Sequence, residues 1–370
     1  MGGSEVEAQR VAAALIARGH KVTVLCAGGA PMPAIHKWTD PLGVPVRVYG
    51  MRGSRKWRDR AFAAAVAWVL FAERRNYQVA YFLMQGLHLA AGLPVAKLLH
   101  KPVVMKISGS NIVTIMQQSW LGRLELKWLR KWARRVMILN DGIAAEALRA
   151  GLSKGQLFWM PNPVDVARFS PAAATERQEL RKTAGIAGQT VVIYVGRLAP
   201  EKDLPSLLDA FARLISSGRD ALLVLVGDGP DRGALEAKSE NLGISARVRF
   251  TGMLGVDGVI AWLRTADVFA LVSEFEGFPC SLVEAMAAGL PSVVSDIPGN
   301  KQLIETGVHG LAASQGQPVA IAEALDRLIV DPVLRERMGV AARQHVVERY
   351  SVDHVIDRYE TLFSETLEAD

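Results

Sequence analysis

Two acids separated by seven residues, Glu276 and Glu284, bracket the stretch of this chain best suited to chemistry, Ser273 to Pro291. Gly277 stands beside the first acid, and glycine there lets backbone come close to a ligand. An apolar run, Asp267 to Val272, leads in as a strand, and a helix leads out. A helix start offers free N–H groups to an anion, so a phosphate ester is the ligand such a turn fits. Ser281 with Glu284 three positions on reads as a capping box, and Gly289 then Pro291 as the stop. Taken singly, Glu284 as a helix cap and Glu276 as a solvated acid are equally good readings. Upstream, Gly196, Arg197 and Lys202 follow another apolar run, Val191 to Val195. Two cations held past a strand end can neutralise a departing diphosphate.

Other chemistries lack their residues. The chain has no Asp-x-Asp pair, no His-x-x-x-His and no Cys/His cluster, so no metal cofactor is expected. The Gly-x-Ser-x-Gly elbow of a serine hydrolase is absent. Gly227-Asp228-Gly229 has Arg232 where a dinucleotide fingerprint needs its third glycine. Two distant cysteines, Cys26 and Cys280, suit a reducing compartment. The longest apolar run, Ala61 to Ala72, is too short to cross a bilayer.

The elements that must position these residues alternate strand and helix. In the first half the strands are Lys21–Ala27, Val44–Tyr49, Val79–Leu83, Pro102–Ile107, Val136–Leu139 and Leu157–Met160. A basic loop, Met51 to Arg60, separates the second strand from the Ala61–Ala72 helix. Ser108-Gly109-Ser110-Asn111 is a small-residue loop of the kind that lines a cleft. The helix Trp120 to Arg135 places Trp120, Leu121, Leu124, Trp128 and Ala133 on one face among cations. Small residues from Ser170 to Ala174 mark a domain boundary, and strands Val191–Val195, Leu222–Val226, Val248–Thr251 and Ser292–Ser295 follow with Asp267–Val272. This pattern predicts parallel sheets flanked by helices, with ligands at the C-terminal strand ends. At the start, Gly2-Gly3 opens directly into a helix where a strand is expected first, so either the first strand of the N-terminal domain is missing or the true start lies upstream.

At 370 residues the chain is long enough for two domains. Its net charge of +6 is unevenly spread. Residues 1–170 hold 24 Lys and Arg against 9 Asp and Glu, and seven of the eight tryptophans; the remainder holds 19 against 28. The first half therefore suits something anionic, such as a membrane surface or an acidic substrate. A scaffold helix with solvated cations accounts equally well for Trp120 to Arg135. No nucleic-acid partner is expected, because no known binding module is present.

Several motifs in order resemble glycosyltransferase family 4, retaining enzymes of the GT-B fold. They are Gly3-Ser4-Glu5, Arg18-Gly19-His20-Lys21-Val22, Pro161-Asn162-Pro163-Val164-Asp165, Gly196-Arg197 with Glu201-Lys202, Gly227-Asp228-Gly229-Pro230, Glu276-Gly277-Phe278-Pro279 with Glu284, Ala285 to Pro291, and the Pro298-Gly299 to Gly310 segment. The resemblance implies two Rossmann-like domains facing a cleft. Residues 1–170 would bind acceptor and residues 171–351 the nucleotide-sugar donor, with helix 352–367 returning to the first domain. Glu276, Arg197 and Lys202 would be catalytic. The donor would also meet Gly2, Gly3, Ser108, Gly109, Gly196, Met253, Gly277, Phe278, Pro279, Ser281, Leu282 and Glu284. Arg197 and Lys202 would hold the diphosphate, Glu284 the ribose, and Glu276 with the backbone of Gly277 and Phe278 the sugar. A UDP-sugar donor, a lipid-linked or polysaccharide acceptor, no metal, and a cytoplasmic location at or away from a membrane face complete the expectation. The family's histidine after the Pro102–Ile107 strand is missing, which leaves a non-catalytic sugar-nucleotide-binding partner as the alternative.

Overall fold

A computed structural model describes residues 3–28, 36–50, 54–109 and 111–368. The chain divides into two compact units: Met1–Pro163 with Val352–Asp370, and Val164–Ser351. The expected boundary at Ser170–Ala174 lies later than this junction. Val164 N–H donates to Tyr350 O at 2.8 Å and Phe169 is 2% exposed, so residues 164–170 are built into the second unit. The small residues that follow mark only where the chain returns to the surface.

The first unit runs α1 (Gly3–Ala17), β1 (Val24–Gly28), β2 (His36–Thr39), β3 (Pro45–Gly50), α2 (Arg55–Ala72), β4 (Ala80–Phe82), α3 (Leu87–Leu98), β5 (Val103–Lys106), α4 (Ile112–Gln118), α5 (Trp120–Trp132), β6 (Ala133–Ile138), α6 (Asp141–Arg149) and β7 (Leu157–Trp159). Its strands form two sheets, β1-β3-β2 and the parallel β4-β5-β6-β7. Strands β1 and β4 lie in separate sheets. Strand β2 went unread in the sequence. It pairs antiparallel with β3 across a turn in which Asp40 Oδ1 accepts from Leu42 and Val44 N–H, at 2.8 and 2.9 Å.

Two sequence expectations change here. The basic segment is helical from Arg55, because Ser54 turns the chain and its carbonyl accepts the first helical N–H groups; Arg52 lies outside the described residues. The tryptophan-rich helix ends at Trp132, and β6 begins at the next residue. Its buried residues are Gly122, Glu125, Leu126 and Leu129, whereas Trp120 is 70% exposed. The expected face through Trp120 and Ala133 is therefore not the packed one. Trp128 and Trp132 stack on each other at 5.2 Å.

The second unit runs α7 (Ala174–Thr183), β8 (Thr190–Val195), α8 (Leu204–Ser216), β9 (Ala221–Val226), α9 (Arg232–Asn241), β10 (Val248–Gly252), α10 (Val256–Thr265), β11 (Val268–Leu271), α11 (Cys280–Ala287), β12 (Ser292–Ser295), α12 (Pro298–Lys301), β13 (Gly310–Ala313), α13 (Pro318–Val330) and α14 (Pro332–Tyr350). All strand pairs are parallel, in the order β10-β9-β8-β11-β12-β13. Such a sheet is covered on both faces, so β9 and β11 are buried at every residue. Helix α8 packs through Leu204, Leu207, Leu208, Phe211 and Leu214, a stripe at helical spacing. Truncating fully buried Phe211 to alanine would cost about 3–5 kcal/mol.

Helix α15 (Val352–Glu368) returns to the first unit and packs on α1. Val355, Ile356, Tyr359 and Leu362 join Val11 and Leu15 in its core, and Arg18 reaches Asp357 and Glu360. Among the described residues no helix is long and apolar enough to cross a membrane.

Candidate functional site

In the second unit the chain travels outward from β8 through β9 to β10, then crosses to β11 and builds the other half through β12 and β13. The connections after β8 and β11 therefore part in opposite directions. That divergence opens a crevice at the C-terminal strand ends, where open α/β sheets bind ligands. Gly196, Arg197 and Lys202 follow β8, and Glu276 follows β11. Glu274 N–H donates to Glu201 O at 2.9 Å, so backbone joins the two connections.

The side chains meet there as well. Lys202 Nζ donates to Glu276 Oε1 at 2.6 Å, with the side chains 18% and 11% exposed. Arg197 Nη2 donates to Glu201 Oε1 at 2.7 Å from a side chain 66% exposed. Hydrogen bonding to Arg197 lowers the Glu201 pKa below its ordinary value. Both cations thus stand beside carboxylates at the mouth of the crevice, an arrangement an incoming diphosphate can enter by exchanging partners.

Residues the sequence did not single out hold this geometry. Ser273 Oγ donates to Glu276 Oε1 at 2.7 Å, Ser295 Oγ donates to Ser273 O at 2.6 Å, and Asn300 Nδ2 donates to Ser295 O at 2.9 Å. Ser273 and Asn300 are fully buried. A Cβ on Gly299 would collide with the Glu276 carbonyl, so α12 can close on this loop only with glycine there. Behind Arg197, the buried Tyr194 hydroxyl donates to Arg197 O at 2.9 Å. Burial raises the Tyr194 pKa, which keeps that donor protonated. Gly227 and Gly229 press against the carbonyls of Gly196 and Leu198, which accounts for the Gly227-Asp228-Gly229 spacing. Such hydroxyl and amide positions carry no sequence pattern, since their role depends on strands brought together by the fold.

The other proposed donor residues divide by access. Met253, just past β10, is 81% exposed, and Gly277, Ser281 and Glu284 are partly exposed. Phe278 is 8% exposed and packs against Tyr350 at 5.9 Å, and Pro279 is buried. Leu282 is fully buried and its N–H donates to Pro279 O, so it serves packing. The expected capping box does not form. Helix α11 begins at Cys280, after Pro279, so Ser281 lies inside it and Glu284 on its second turn. Gly289 does follow the helix, at φ 78°.

In the first unit Gly3 opens α1, and Ser108 and Gly109 follow β5; Gly2 and Ser110 lie outside the described residues. Lys106, at the end of β5, is buried, and its Nζ donates to Glu7 of α1 and, at 2.7 Å, to Asn162 Oδ1. Tyr359 OH donates to the same Glu7 oxygen at 3.3 Å. The position beside the missing family histidine is thus taken up by a closed polar cluster. Among the described residues no group of three His, Cys, Asp or Glu is placed to hold a metal ion.

Comparison with known proteins identifies the family and the fold. The family model for group 1 glycosyl transferases matches residues 176–345, and that for Glycosyltransferase Family 4 matches residues 1–168. The 2-deoxystreptamine glucosyltransferase of Streptomyces kanamyceticus is 28% identical over 376 residues, covering 95% of each chain. N-acetyl-alpha-D-glucosaminyl L-malate synthase of Bacillus anthracis is 32% identical over 193 residues, covering 52% of this chain and 50% of that one. Among solved structures, Anabaena Alr3699/HepE in complex with UDP and glucose aligns with TM-score 0.80 at 20% identity, covering 98% of this chain and 96% of that one. Sucrose-phosphate synthase from Thermosynechococcus elongatus aligns with TM-score 0.82 at 20% identity, over 100% and 94%. With an α/β fold of two parallel-sheet units and both family models matched in order, the chain belongs to the family 4 glycosyltransferases of the GT-B fold.

Proposed function

We propose that this glycosyltransferase moves a hexose from a nucleotide diphosphate to an acceptor hydroxyl with retention of anomeric configuration, using no resident metal. The observation that carries the reading is the Lys202–Glu276 pair at the point where the β8 and β11 connections diverge. Arg197 and Lys202 bind the diphosphate and stabilise its charge as the anomeric C–O bond breaks. Glu276 and the backbone N–H groups of Gly277 and Phe278 orient the sugar, Glu284 takes the ribose hydroxyls, and Met253 lies against the base. The acceptor oxygen attacks from the face the leaving group departs, and the departing phosphate takes its proton. The first unit receives a lipid-linked or polysaccharide acceptor. UDP-sugars are the first donors to test, because the Anabaena neighbour holds UDP and glucose.

The test is thermal stabilisation by a panel of nucleotides and nucleotide sugars, followed by turnover with the best donor. A ligand at about 100 times its dissociation constant stabilises the folded chain by about 2.7 kcal/mol. Glu276→Ala should lower turnover about a hundredfold or more, as losing a transition-state electrostatic partner does. If no nucleotide shifts the melting point, the donor-site assignment fails. Binding without donor hydrolysis or transfer would instead make the chain a sugar-nucleotide-binding partner.

A further inference from the structure

We infer that one helical face of the first unit, centred on α2, is a docking surface for an anionic lipid bilayer. Helix α2 has two apolar sides, and only one is packed. Ala63, Val66 and Leu70 are buried. At about 100° per residue, Trp57, Ala64, Trp68 and Phe71 align on the opposite side. Trp57 is 66% exposed, Trp68 68% and Phe71 46%. Isolated exposed apolar residues are ordinary, but three large rings in one helical line are not. An indole ring combines an apolar body with an N–H donor, which suits the headgroup level of a membrane.

The charges are arranged to match. Arg60 falls beside the aromatic line by the same helical angle and is exposed. Just past the end of α2, Arg74 and Arg75 are exposed too, the Arg74 guanidinium lying 5.0 Å from the centre of the Phe71 ring. Asp59, the one acid of α2, is exposed but points away from the aromatic line by the same helical angle, and Glu73, just past the helix, pairs with Arg47. Helix α2 packs on α3, and α3 on α5. On the outer side of α5, Trp120 is accompanied by exposed Arg123, Lys127 and Lys131 at spacings of three and four. The first 170 residues carry 24 Lys and Arg against 9 Asp and Glu, so this half of the chain is cationic overall.

An anionic bilayer satisfies both parts at once: rings enter the interface while cations meet lipid phosphates. A protein partner is a poorer match, since the cores of protein interfaces are depleted in charge. A nucleic acid is too, because stacking needs aromatics set along a basic groove rather than on a helix ridge. The inference stands apart from the donor chemistry, so vesicle binding and sugar transfer can succeed or fail separately.

The experiment is flotation of the full chain with phosphatidylcholine vesicles, with and without phosphatidylglycerol, at low and high salt. The chain should float with the phosphatidylglycerol vesicles alone and be released by salt. The double change Arg74→Glu with Arg75→Glu should weaken binding about tenfold or more, given the attraction of each juxtamembrane cation to an anionic leaflet. Trp57→Ala with Trp68→Ala should do likewise, while Trp68→Phe keeps most of the binding. All of these side chains are on the outer side, so melting temperature and donor binding should be unchanged. Failure to float with phosphatidylglycerol, equal binding to neutral vesicles, or indifference to the charge reversals would overturn the proposal. So would tight RNA binding abolished by the same changes, or a dimer that Trp57→Ala with Trp68→Ala dissolves.

Discussion

Lys106 at the end of β5 and Lys202 beyond β8 each meet a glutamate, yet the two pairs are built differently. In the first unit, Lys106 and Glu7 are 0% and 4% exposed, with Asn162 bonded to the lysine, Tyr359 to Glu7 Oε1, and Glu7 Oε2 buried without a partner among the described residues. In the second, Lys202 and Glu276 are 18% and 11% exposed, at the mouth of a crevice between diverging strand connections. A closed pair has exchanged water for protein and is shut off from an incoming ligand. An open pair can trade its internal bond for a bond to a diphosphate or a sugar. Strand-end position alone therefore does not mark chemistry; access does.

The comparison breaks most readily at Lys106. Lys106→Met strands a buried carboxylate and should cost about 3–5 kcal/mol, while Glu7→Gln added to it should restore part of that loss. Lys202→Met should cost about 1 kcal/mol or less in a denaturant melt, because water reaches Glu276, and should instead abolish stabilisation by nucleotide sugars. Equal stability losses from the two lysine changes would dissolve the distinction between the pairs.

Glu125 sharpens the contrast, since it is a buried acid whose carboxylate accepts from Gly86 N–H at 2.8 Å. Burial raises its pKa from 4.5 to about 7. A raised carboxyl contributes stability that is complete below the unfolded value and lost as pH climbs through the folded one. Glu125→Gln cannot ionise and keeps an oxygen for Gly86. It should therefore stabilise the chain by about 3 kcal/mol above about pH 8 and leave it unchanged below about pH 4. Melts at the two pH values decide this, and a pH-independent difference would mean that Glu125 does not ionise in that range.

The smallest effect tests the support behind the open pair. Ser273→Ala removes a hydroxyl that orients Glu276, and should lower kcat about tenfold, close to 1.4 kcal/mol, with little change in the donor KM. Ser273→Thr, which keeps the hydroxyl, should recover most of the rate. A loss confined to melting temperature would reduce Ser273 to packing.

Local pattern carried far in this chain. The β-branched runs at Val191–Val195 and Ser292–Ser295 are strands, and Val256–Thr265 is helical from end to end, because periodicity reports which faces are buried. The Gly227-Asp228-Gly229 spacing registered only as an incomplete dinucleotide fingerprint and a family motif; the close backbone approach behind it is a feature of the fold. Short-range signals failed where a neighbouring element outweighed them. Serine and glutamate three apart at Ser281 and Glu284 look like a cap, but Pro279 starts the helix earlier. Tryptophans among cations at Trp120–Trp132 look like one apolar face, but Leu126 and Leu129 turned inward and left Trp120 outside.

Amino-acid order was enough to establish alternating α/β architecture, the family motifs and the basic, tryptophan-rich first half, since each depends on composition or on spacing within a few turns. Tertiary structure alone decided which lysine is buried and which is available, and that Ser273, Ser295 and Asn300 stand in line behind Glu276. It also decided that α2 turns three aromatic rings outward. Those outcomes rest on contacts between residues distant in the chain, so no local spacing records them.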